Sequence, residues 1–472
     1  MAMIEATQEG MPTREGDLSV ESHGMEPIPE SARYGSVGRV FTVWFTPNLV
    51  PAAFFIGTLV TLSFLKLGFV TSILAIVVGN VLGAAFVGLL AAMGPKLGLA
   101  QLPAARLPFG KSIVVPGLLN WVSTIGWDGI NNVFGAIALT ILIPGLPFWV
   151  ALLVIVVAQG TLGIFGYEAI HLFEKWGALL LGAMFVVLTI SIFGQADTTL
   201  TDGFSGLDLV GAFVAMVAIV ASFVLAWALY ASDYTRYLPS DTPPRRVFWN
   251  TLLGLCLAAG WLEILGLLVA TKAIGGESSD TIYAVLGGSG AVIASVAMVA
   301  IVIGTVAVNA MNDYTGSLSL QASGVRIKRI YSAAVVAVLG YGFTLYLQNS
   351  GDFSLNFFNF LLFISYWISP FVGVVLADWW LRGQRADARS VVDFARLPSG
   401  TIALVALVVG FAVGIPFQNS SLGYAWNAEW WGVPFNWVTA NYLHGADLAY
   451  YVGGAVAFLI YWFGARSSVQ RT

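Results

Sequence analysis

The sequence has little of the residue chemistry on which soluble enzymes and metalloproteins depend. Its 472 residues include one cysteine, Cys256, which excludes a disulfide framework and a thiolate metal cluster. The three histidines, His23, His171 and His444, lie far apart and form no ligand pattern, so no metal site is predicted. Charged residues make up 10% of the chain, whereas an ordinary soluble protein has roughly a quarter. This shortage argues against soluble enzymes, nucleic-acid binders and disordered proteins.

Apolar residues are abundant instead. They reach 58% of the sequence, and the mean hydropathy is +0.83. The apolar stretches are long and continuous, which favours an all-α polytopic membrane protein over a barrel of short alternating strands. No phosphate-binding loop, HExxH motif or recognisable Ser/His/Asp set is present, so neither ATP hydrolysis nor enzymatic catalysis is predicted. No filter-like segment repeats four times, which disfavours a channel. The composition therefore favours a secondary transporter without a cofactor.

Apolar runs long enough to cross a bilayer predict twelve transmembrane helices. A helix needs about 20 apolar residues to do so. The turn signal Pro144-Gly145-Leu146-Pro147 divides one long run into the end of a third span, which begins near Val114, and a fourth. Glu263 is the one charged residue of a seventh span at 247–271. The charge-free runs lie at 41–65, 67–95, 129–167, 176–196, 209–232, 281–312, 330–351, 353–377, 397–428 and 448–465.

The positions of lysine and arginine orient these spans. With a cytosolic N-terminus, Lys66 and Lys272 are the two of the 21 basic residues that fall outside the cell. Positive residues concentrate on the cytosolic side of membrane proteins. Both termini are therefore predicted in the cytosol, and the chain in the plasma membrane. The predicted organisation is a cytosolic tail at 1–37, one transmembrane domain at 38–465 and a second tail at 466–472.

The first span carries a predicted break. Thr46 and Asn48 flank Pro47, and Pro51 follows one turn later. Each proline lacks an N–H and clashes with the carbonyl four residues back, which frees carbonyl groups. Broken helices of this kind form transporter sites near the midplane of the membrane. The freed carbonyls could bind a cation or a substrate N–H, whereas the alternative is a simple proline kink.

The third span combines aromatic and polar residues. Thr124, Trp127, Asp128 and Asn131 follow one another at helical spacing, so they share a broad face. An indole offers a stacking surface, and a carboxylate and an amide offer directional hydrogen bonds. This combination suits a flat heterocycle. The alternative is an interhelical hydrogen-bond cluster that only holds the bundle together.

The sixth span offers a second aromatic surface. Phe223 or Trp227 could cover a flat ring from the side opposite Trp127. Neither glycine nor proline marks a break in this span. An interruption is therefore expected here only by symmetry with the first span.

The eighth span carries a polar stripe. Thr305, Asn309, Asn312, Asp313 and Gly316 recur at spacings of three and four, and the two asparagines can both donate and accept hydrogen bonds. Ionisable groups at membrane depth cost several kcal/mol by insertion scales, so they are functional candidates. Asp313 is the first candidate for a proton carrier. The competing carboxyl groups belong to Asp128 and Glu263, and the alternative role of the stripe is helix packing.

Taken together, these motifs resemble the nucleobase–cation symporters of family 1, and specifically the purine–cytosine permease branch. The resemblance covers roughly residues 30–380 and is specific only as a set. The matching pieces are Arg39–Asn48, Gly126-Trp127 with Asn131, Phe223–Tyr234, Asn309–Gln321 and Tyr366–Asp378.

The resemblance implies the LeuT-type fold, with two inverted repeats of five helices at about 38–195 and 207–382 and two appended helices at about 399–465. In such permeases a planar nucleobase stacks on the tryptophan that matches Trp127. An aromatic residue of span six covers the base, and polar residues matching Asn309, Asn312 and Asp313 recognise its edge. The implied partners are the base and the lipid bilayer, with no nucleic acid and no obligatory protein partner.

One departure from the family pattern concerns the coupling cation. Sodium-using relatives carry two hydroxyl residues just before the position of Asn309, where this chain has Ala307 and Val308. Neither offers an oxygen ligand to Na⁺. The sequence therefore predicts proton-coupled import of cytosine or purines, with sodium as the alternative cation. Allantoin, a hydantoin or uracil is the alternative substrate, and a non-transporting nucleobase sensor or an amino-acid permease is a more distant alternative.

Overall fold

The computed structural model describes residues 25–61, 65–165, 167–272, 278–288, 290–325, 329–420, 429–430, 433–434 and 436–469. Residues 1–24 of the predicted N-terminal tail and residues 470–472 of the C-terminal tail lie outside this part of the chain. The described residues are nearly all helical. One small hairpin, β1 (Glu429–Trp430) with β2 (Val433–Pro434), accounts for the strands among them.

Most of the helices follow the predicted apolar runs, and a few short ones lie between them. They are α1 (Val37–Phe45), α2 (Pro51–Thr58), α3 (Phe69–Ala91), α4 (Gly94–Leu97), α5 (Gln101–Phe109), α6 (Val114–Leu142), α7 (Phe148–Phe165), α8 (Tyr167–Ile192), α9 (Gly206–Leu225), α10 (Pro244–Ala270), α11 (Ser278–Gly287), α12 (Ala291–Ala322), α13 (Arg329–Asn349), α14 (Phe353–Leu381), α15 (Thr401–Gly414), α16 (Trp437–Tyr442) and α17 (Ala449–Val469).

Helices long and apolar enough to cross a membrane match nine of the twelve predicted spans. Eight helices are long and apolar enough to span a membrane, and the bent pair α1 and α2 makes a ninth. Three shorter apolar helices, Phe148–Leu162, Trp176–Ile192 and Thr401–Phe417, occupy the places of predicted spans four, five and eleven. Within the described part of the chain, each of the twelve predicted spans therefore corresponds to a helix or a bent helix pair.

The first span is broken where the prolines predict it. Helix α1 ends at Phe45, a 3-10 turn covers Thr46–Asn48, and α2 begins at Pro51 with a bend of 64° between the two halves. Both halves pack on helix α10. Gly57 of α2 has no side chain, and this allows the backbone of α2 to touch the backbone of α10 at Glu263.

The sixth span also changes conformation, although no glycine or proline marks the place. Helix α9 ends at Leu225 and continues as a 3-10 helix, Ala226–Tyr230, before a series of turns. This finding confirms the interruption that was expected only by symmetry.

The predicted start of the eighth span is wrong. The apolar run of this span begins at residue 281, but residues 278–287 form the separate short helix α11, and the long helix begins at Ala291 and extends to Ala322. Gly290, with φ +121°, separates the two helices. Hydropathy alone does not distinguish a short packed helix from the first turns of a span.

The centre of the protein is the contact between α6 and α12. Helices α7 and α13 pack on the outer side of this pair. A second group is formed by α3, α9 and α10 with the broken pair α1 and α2, and a third by α14, α15 and α17. The site described below lies where the broken first span and the end of α9 meet the α6–α12 pair.

Candidate functional site

A cavity of about 440 Å³ lies between the interrupted segments and the α6–α12 pair. Two tryptophans, Trp127 of α6 and Trp227 of the 3-10 segment, line it together with two amide side chains, Asn131 and Asn312. The remaining lining residues are Pro47, Val50, Ala52, Phe223, Ala226, Tyr230 and Val308. The cavity therefore combines aromatic surfaces with two polar groups.

The indole of Trp127 is held between two phenylalanine rings. Phe223 lies 5.8 Å from it and Phe360 of α14 lies 5.1 Å from it, centroid to centroid, and both pairs are edge-to-face. Gly126 makes room for Phe360, because a β-carbon at this position would overlap that ring. Edge contacts on the indole fix its orientation, since aromatic pairs prefer this geometry.

The second tryptophan is tied to the broken first span. The indole N–H of Trp227 donates to the amide oxygen of Asn48 at 3.0 Å, and the Asn48 amide donates to the Trp44 carbonyl at 2.8 Å. Trp44 also makes an edge-to-face contact with Trp227, at 5.9 Å. Asn48 is fully buried and does not line the cavity, so it acts on the site through Trp227.

An amide network lies behind the cavity. Asn131 donates to the amide oxygen of Asn309 at 3.0 Å, and Asn309 donates to Asn132 at 2.9 Å and to Gln159 of α7 at 3.0 Å. Asn309 is buried and does not line the cavity. The amide oxygens of Asn131 and Asn312 accept no hydrogen bond within the described part of the chain, and both side chains line the cavity.

Two carboxyl groups end this network. The Asp128 carboxylate accepts from Asn312 at 3.2 Å through one oxygen and from Gln159 at 3.1 Å through the other. Asp313 is fully buried beside Asp128 and interacts with it electrostatically. Neither oxygen of Asp313 has a donor in hydrogen-bonding geometry among the described residues, although the amide of Gln159 lies beside it.

A second, smaller cavity of about 280 Å³ adjoins the break in the first span. Thr46 supplies the one side-chain hydroxyl in its lining. Ala307 and Val308 also line this cavity. The other lining residues are Pro47, Leu49, Val50, Gly177, Ala178, Leu181 and Gly304.

Thr124 and Glu263 belong neither to the cavity lining nor to the hydrogen-bond networks that support it. Thr124 donates to the Trp121 carbonyl at 2.7 Å and packs against Gly316 of α12, so it contributes to helix packing. Glu263 lies between α10 and α3, where it accepts a hydrogen bond from Asn80. The structure therefore separates Glu263 from the Asp128–Asp313 pair.

Sequence reasoning missed three residues that complete the site. Gln159 joins the amide network to Asp128, Phe360 packs on Trp127, and Tyr230 lines the cavity while its hydroxyl donates to Asn120 at 3.2 Å. A lone amide in the apolar fourth span was a signal for Gln159. Phe360 and Tyr230 carried no local signal, because their roles depend on packing between distant helices.

Comparisons with known proteins agree with this architecture. The chain is 28% identical to a purine-cytosine permease of Saccharomyces cerevisiae, with 94% of this chain and 86% of the yeast protein covered. It is 26% identical to a purine-cytosine permease of Emericella nidulans, with 94% and 88% covered. Among solved structures, Mhp1, a nucleobase-cation-symport-1 family transporter in a closed conformation with bromovinylhydantoin bound, superposes with a TM-score of 0.74 at 17% identity, covering 96% of each chain.

The structural similarity confirms the predicted fold, an all-α polytopic membrane protein of the LeuT type with five-plus-five inverted repeats. A family model matches residues 27–453, which is most of the chain, and describes permeases rather than enzymes. By this match the chain belongs to the family of permeases for cytosine/purines, uracil, thiamine and allantoin.

Proposed function

We propose that this protein imports cytosine and purines by cation symport through alternating access. The observation that carries the proposal is the cavity in which Trp127 and Trp227 flank the amide groups of Asn131 and Asn312. Flat aromatic walls and a few directional polar groups are what a nucleobase requires, because it has two π faces and a polar edge.

Two parts of the site recognise the base: the aromatic walls of the cavity contact its ring, and the amide groups contact its polar edge. Stacking of a base on an indole contributes about 1–3 kcal/mol and tolerates any flat ring. Phe223, in the last turn of α9, also lines the cavity and makes an edge-to-face contact with Trp127. The free amide oxygens of Asn131 and Asn312 accept hydrogen bonds from ring N–H or amino groups, and Asn309 holds Asn131 in place.

The cation of the proposed symport is the proton. The cavity beside the break has Ala307 and Val308 where oxygen ligands would be needed, and Thr46 alone brings a hydroxyl. Sodium binds in proteins through several hard oxygen ligands, as other hard cations do, so this cavity is a poor sodium site. Of the three predicted proton carriers, Asp313 and Asp128 adjoin the base-binding network, whereas Glu263 does not.

The membrane is proposed to be the plasma membrane, with both termini in the cytosol. The support for this orientation is the distribution of lysine and arginine, of which Lys66 and Lys272 alone fall on the opposite side.

Uptake of labelled cytosine and adenine into cells that express the chain tests the proposal. We expect uptake to survive replacement of sodium by choline and to collapse when a protonophore is added. Cells with the empty vector are the control. Uptake that requires sodium would overturn proton coupling, and failure to take up either base would overturn the proposed substrate class.

A second substrate class has a specific structural basis. The two acceptors, Asn131 and Asn312, suit any flat ring with neighbouring N–H groups, and allantoin, hydantoins and uracil have such groups. Bromovinylhydantoin is the ligand bound to Mhp1, whose fold this chain shares. Competition decides between the classes: unlabelled cytosine is expected to inhibit uptake at lower concentration than hydantoin, allantoin or uracil.

A further inference from the structure

Two buried carboxyl groups meet at the contact between α6 and α12. Asp128 and Asp313 are both fully buried, and the charge of one acts on the other. Two carboxylates in contact away from water repel each other strongly, and a single proton between them removes the repulsion. The proposed recognition of the base does not by itself require a pair.

The hydrogen bonds of the two groups are unequal. Asp128 accepts one amide hydrogen bond on each oxygen, from Asn312 and from Gln159. Asp313 has no donor in hydrogen-bonding geometry on either oxygen within the described part of the chain. Amide donors stabilise an ionised carboxylate, whereas a buried acceptor without a donor is costly. The two carboxyl groups are therefore unlike, and one proton between them can be held in an O–H···O⁻ hydrogen bond.

We propose that Asp128 and Asp313 together hold one coupling proton, and that Asn312 connects this proton site to the bound base. The inference rests on the proposed function and specifies its cation site. Asn312 is suited to the connection because its amide nitrogen donates to Asp128 while the same side chain lines the cavity.

The surroundings of the pair support a single titrating unit. Gly340 of α13 packs against the Asp128 side chain and brings no charge, and α7 contributes the neutral amide of Gln159. Tyr230, in the 3-10 helix after α9, is a further titratable group that the charge of Asp128 affects. Its hydroxyl donates to Asn120. Among the described residues, no basic side chain forms an ion pair with either aspartate.

The cycle follows from this arrangement. A proton that enters from the outside removes one of the two charges of the pair, which allows Asp128 to keep both amide donors and Asn312 to keep the orientation that binds the base. When the cavity opens to the cytosol, the proton leaves the pair. The two carboxylates then repel each other, the contact between Asn312 and Asp128 is disturbed, and the base is released.

Purified protein in liposomes tests the stoichiometry directly. The membrane potential is clamped at zero with potassium and valinomycin, and a pH difference of about one unit is imposed, acidic outside. One proton for each base allows about tenfold accumulation of labelled cytosine for each pH unit, since a factor of ten corresponds to about 1.4 kcal/mol. Two protons would allow about a hundredfold, and this result would overturn the shared-proton site.

Variants locate the proton. D313N and D128N are expected to let cytosine equilibrate across the membrane without accumulating it. D313N should still exchange internal for external labelled cytosine. E263Q is the matched control, because it neutralises a buried carboxyl group outside the network, and it should accumulate like the wild type. D313E should retain coupling, which guards against a variant that merely fails to fold.

The outcomes separate this inference from the proposed function. Wild-type accumulation with persistent coupling in both D313N and D128N would overturn the proton site and leave nucleobase import intact. A wild type that neither takes up nor exchanges cytosine or adenine would overturn the proposed function, and the inference with it.

Discussion

The indole nitrogen of Trp227 lies 3.0 Å from the amide oxygen of Asn48, and this hydrogen bond joins the two interrupted spans. Asn48 belongs to the 3-10 turn between α1 and α2, and Trp227 to the 3-10 segment after α9. One wall of the cavity is therefore positioned by a residue that does not line it.

This contact predicts energetic coupling between the two residues. N48A removes the acceptor and W227F removes the donor, and each should weaken base binding. Because both variants break the same hydrogen bond, the loss of binding free energy in the double variant should be about 1 kcal/mol smaller than the sum of the two single losses. This difference is roughly fivefold in Kd. Inhibition constants for unlabelled cytosine give the affinity of the wild type, the two single variants and the double variant. Strictly additive losses of binding free energy would contradict the coupling.

Trp127 is expected to supply the principal stacking surface. W127A should weaken cytosine binding by about 1–3 kcal/mol, because the base loses its aromatic partner. W127F should retain part of the affinity. Trp149 of α7 is 55% exposed on the outer surface, so W149A is a matched control and should bind like the wild type. Equal affinity of W127A and wild type would contradict the stacking role.

The close contact between Gly126 and Phe360 predicts that a second substitution can compensate for a first. G126A should weaken base binding, because the added methyl group displaces Phe360 and thereby loosens the edge contact that orients Trp127. Replacing the ring in G126A/F360L removes the overlap and should recover part of the lost affinity. Binding constants for cytosine measure both variants, and a double variant weaker than G126A alone would argue against this mechanism.

The Glu263–Asn80 contact is expected to matter for stability and not for coupling. E263A removes one of the two acceptors of the buried Asn80 amide and leaves it only the Ile76 carbonyl, so it should lower the free energy of unfolding by about 1–3 kcal/mol. E263Q keeps an acceptor and adds a donor for the unpaired Asn80 oxygen, so its stability should match the wild type. Thermal unfolding in detergent compares the two, and an E263Q protein as unstable as E263A would refute the explanation.

The sequence predicts a feature well where a residue carries its own local constraint. Pro47 and Pro51 remove helix hydrogen bonds wherever they occur, and the 64° bend lies between them. The change at Leu225 has no such residue, so it followed only from symmetry. The start of α12 was misplaced because the apolar run continues through α11, and only the folded chain shows that α11 is a separate helix.

Helical spacing groups residues but does not say what each of them faces. Thr124, Trp127, Asp128 and Asn131 share one broad face of α6, yet Trp127 and Asn131 line the cavity while Thr124 packs against α12. Gln159 is a lone amide in an apolar span, but its partners, Asp128 of α6 and Asn309 of α12, are more than a hundred positions apart in the sequence. Such relationships depend on tertiary packing and on no local pattern.

Helix α10 holds both halves of the broken first span. A β-carbon on Gly254 would lie 2.6 Å from the Phe41 carbonyl oxygen of α1, and β-carbons on Gly57 and Gly266 would overlap the backbone of the facing helix even more. These glycines therefore allow backbone contact between α10 and both halves of the span. A side chain at any of the three positions would push one half away from α10 and change the 64° bend between α1 and α2.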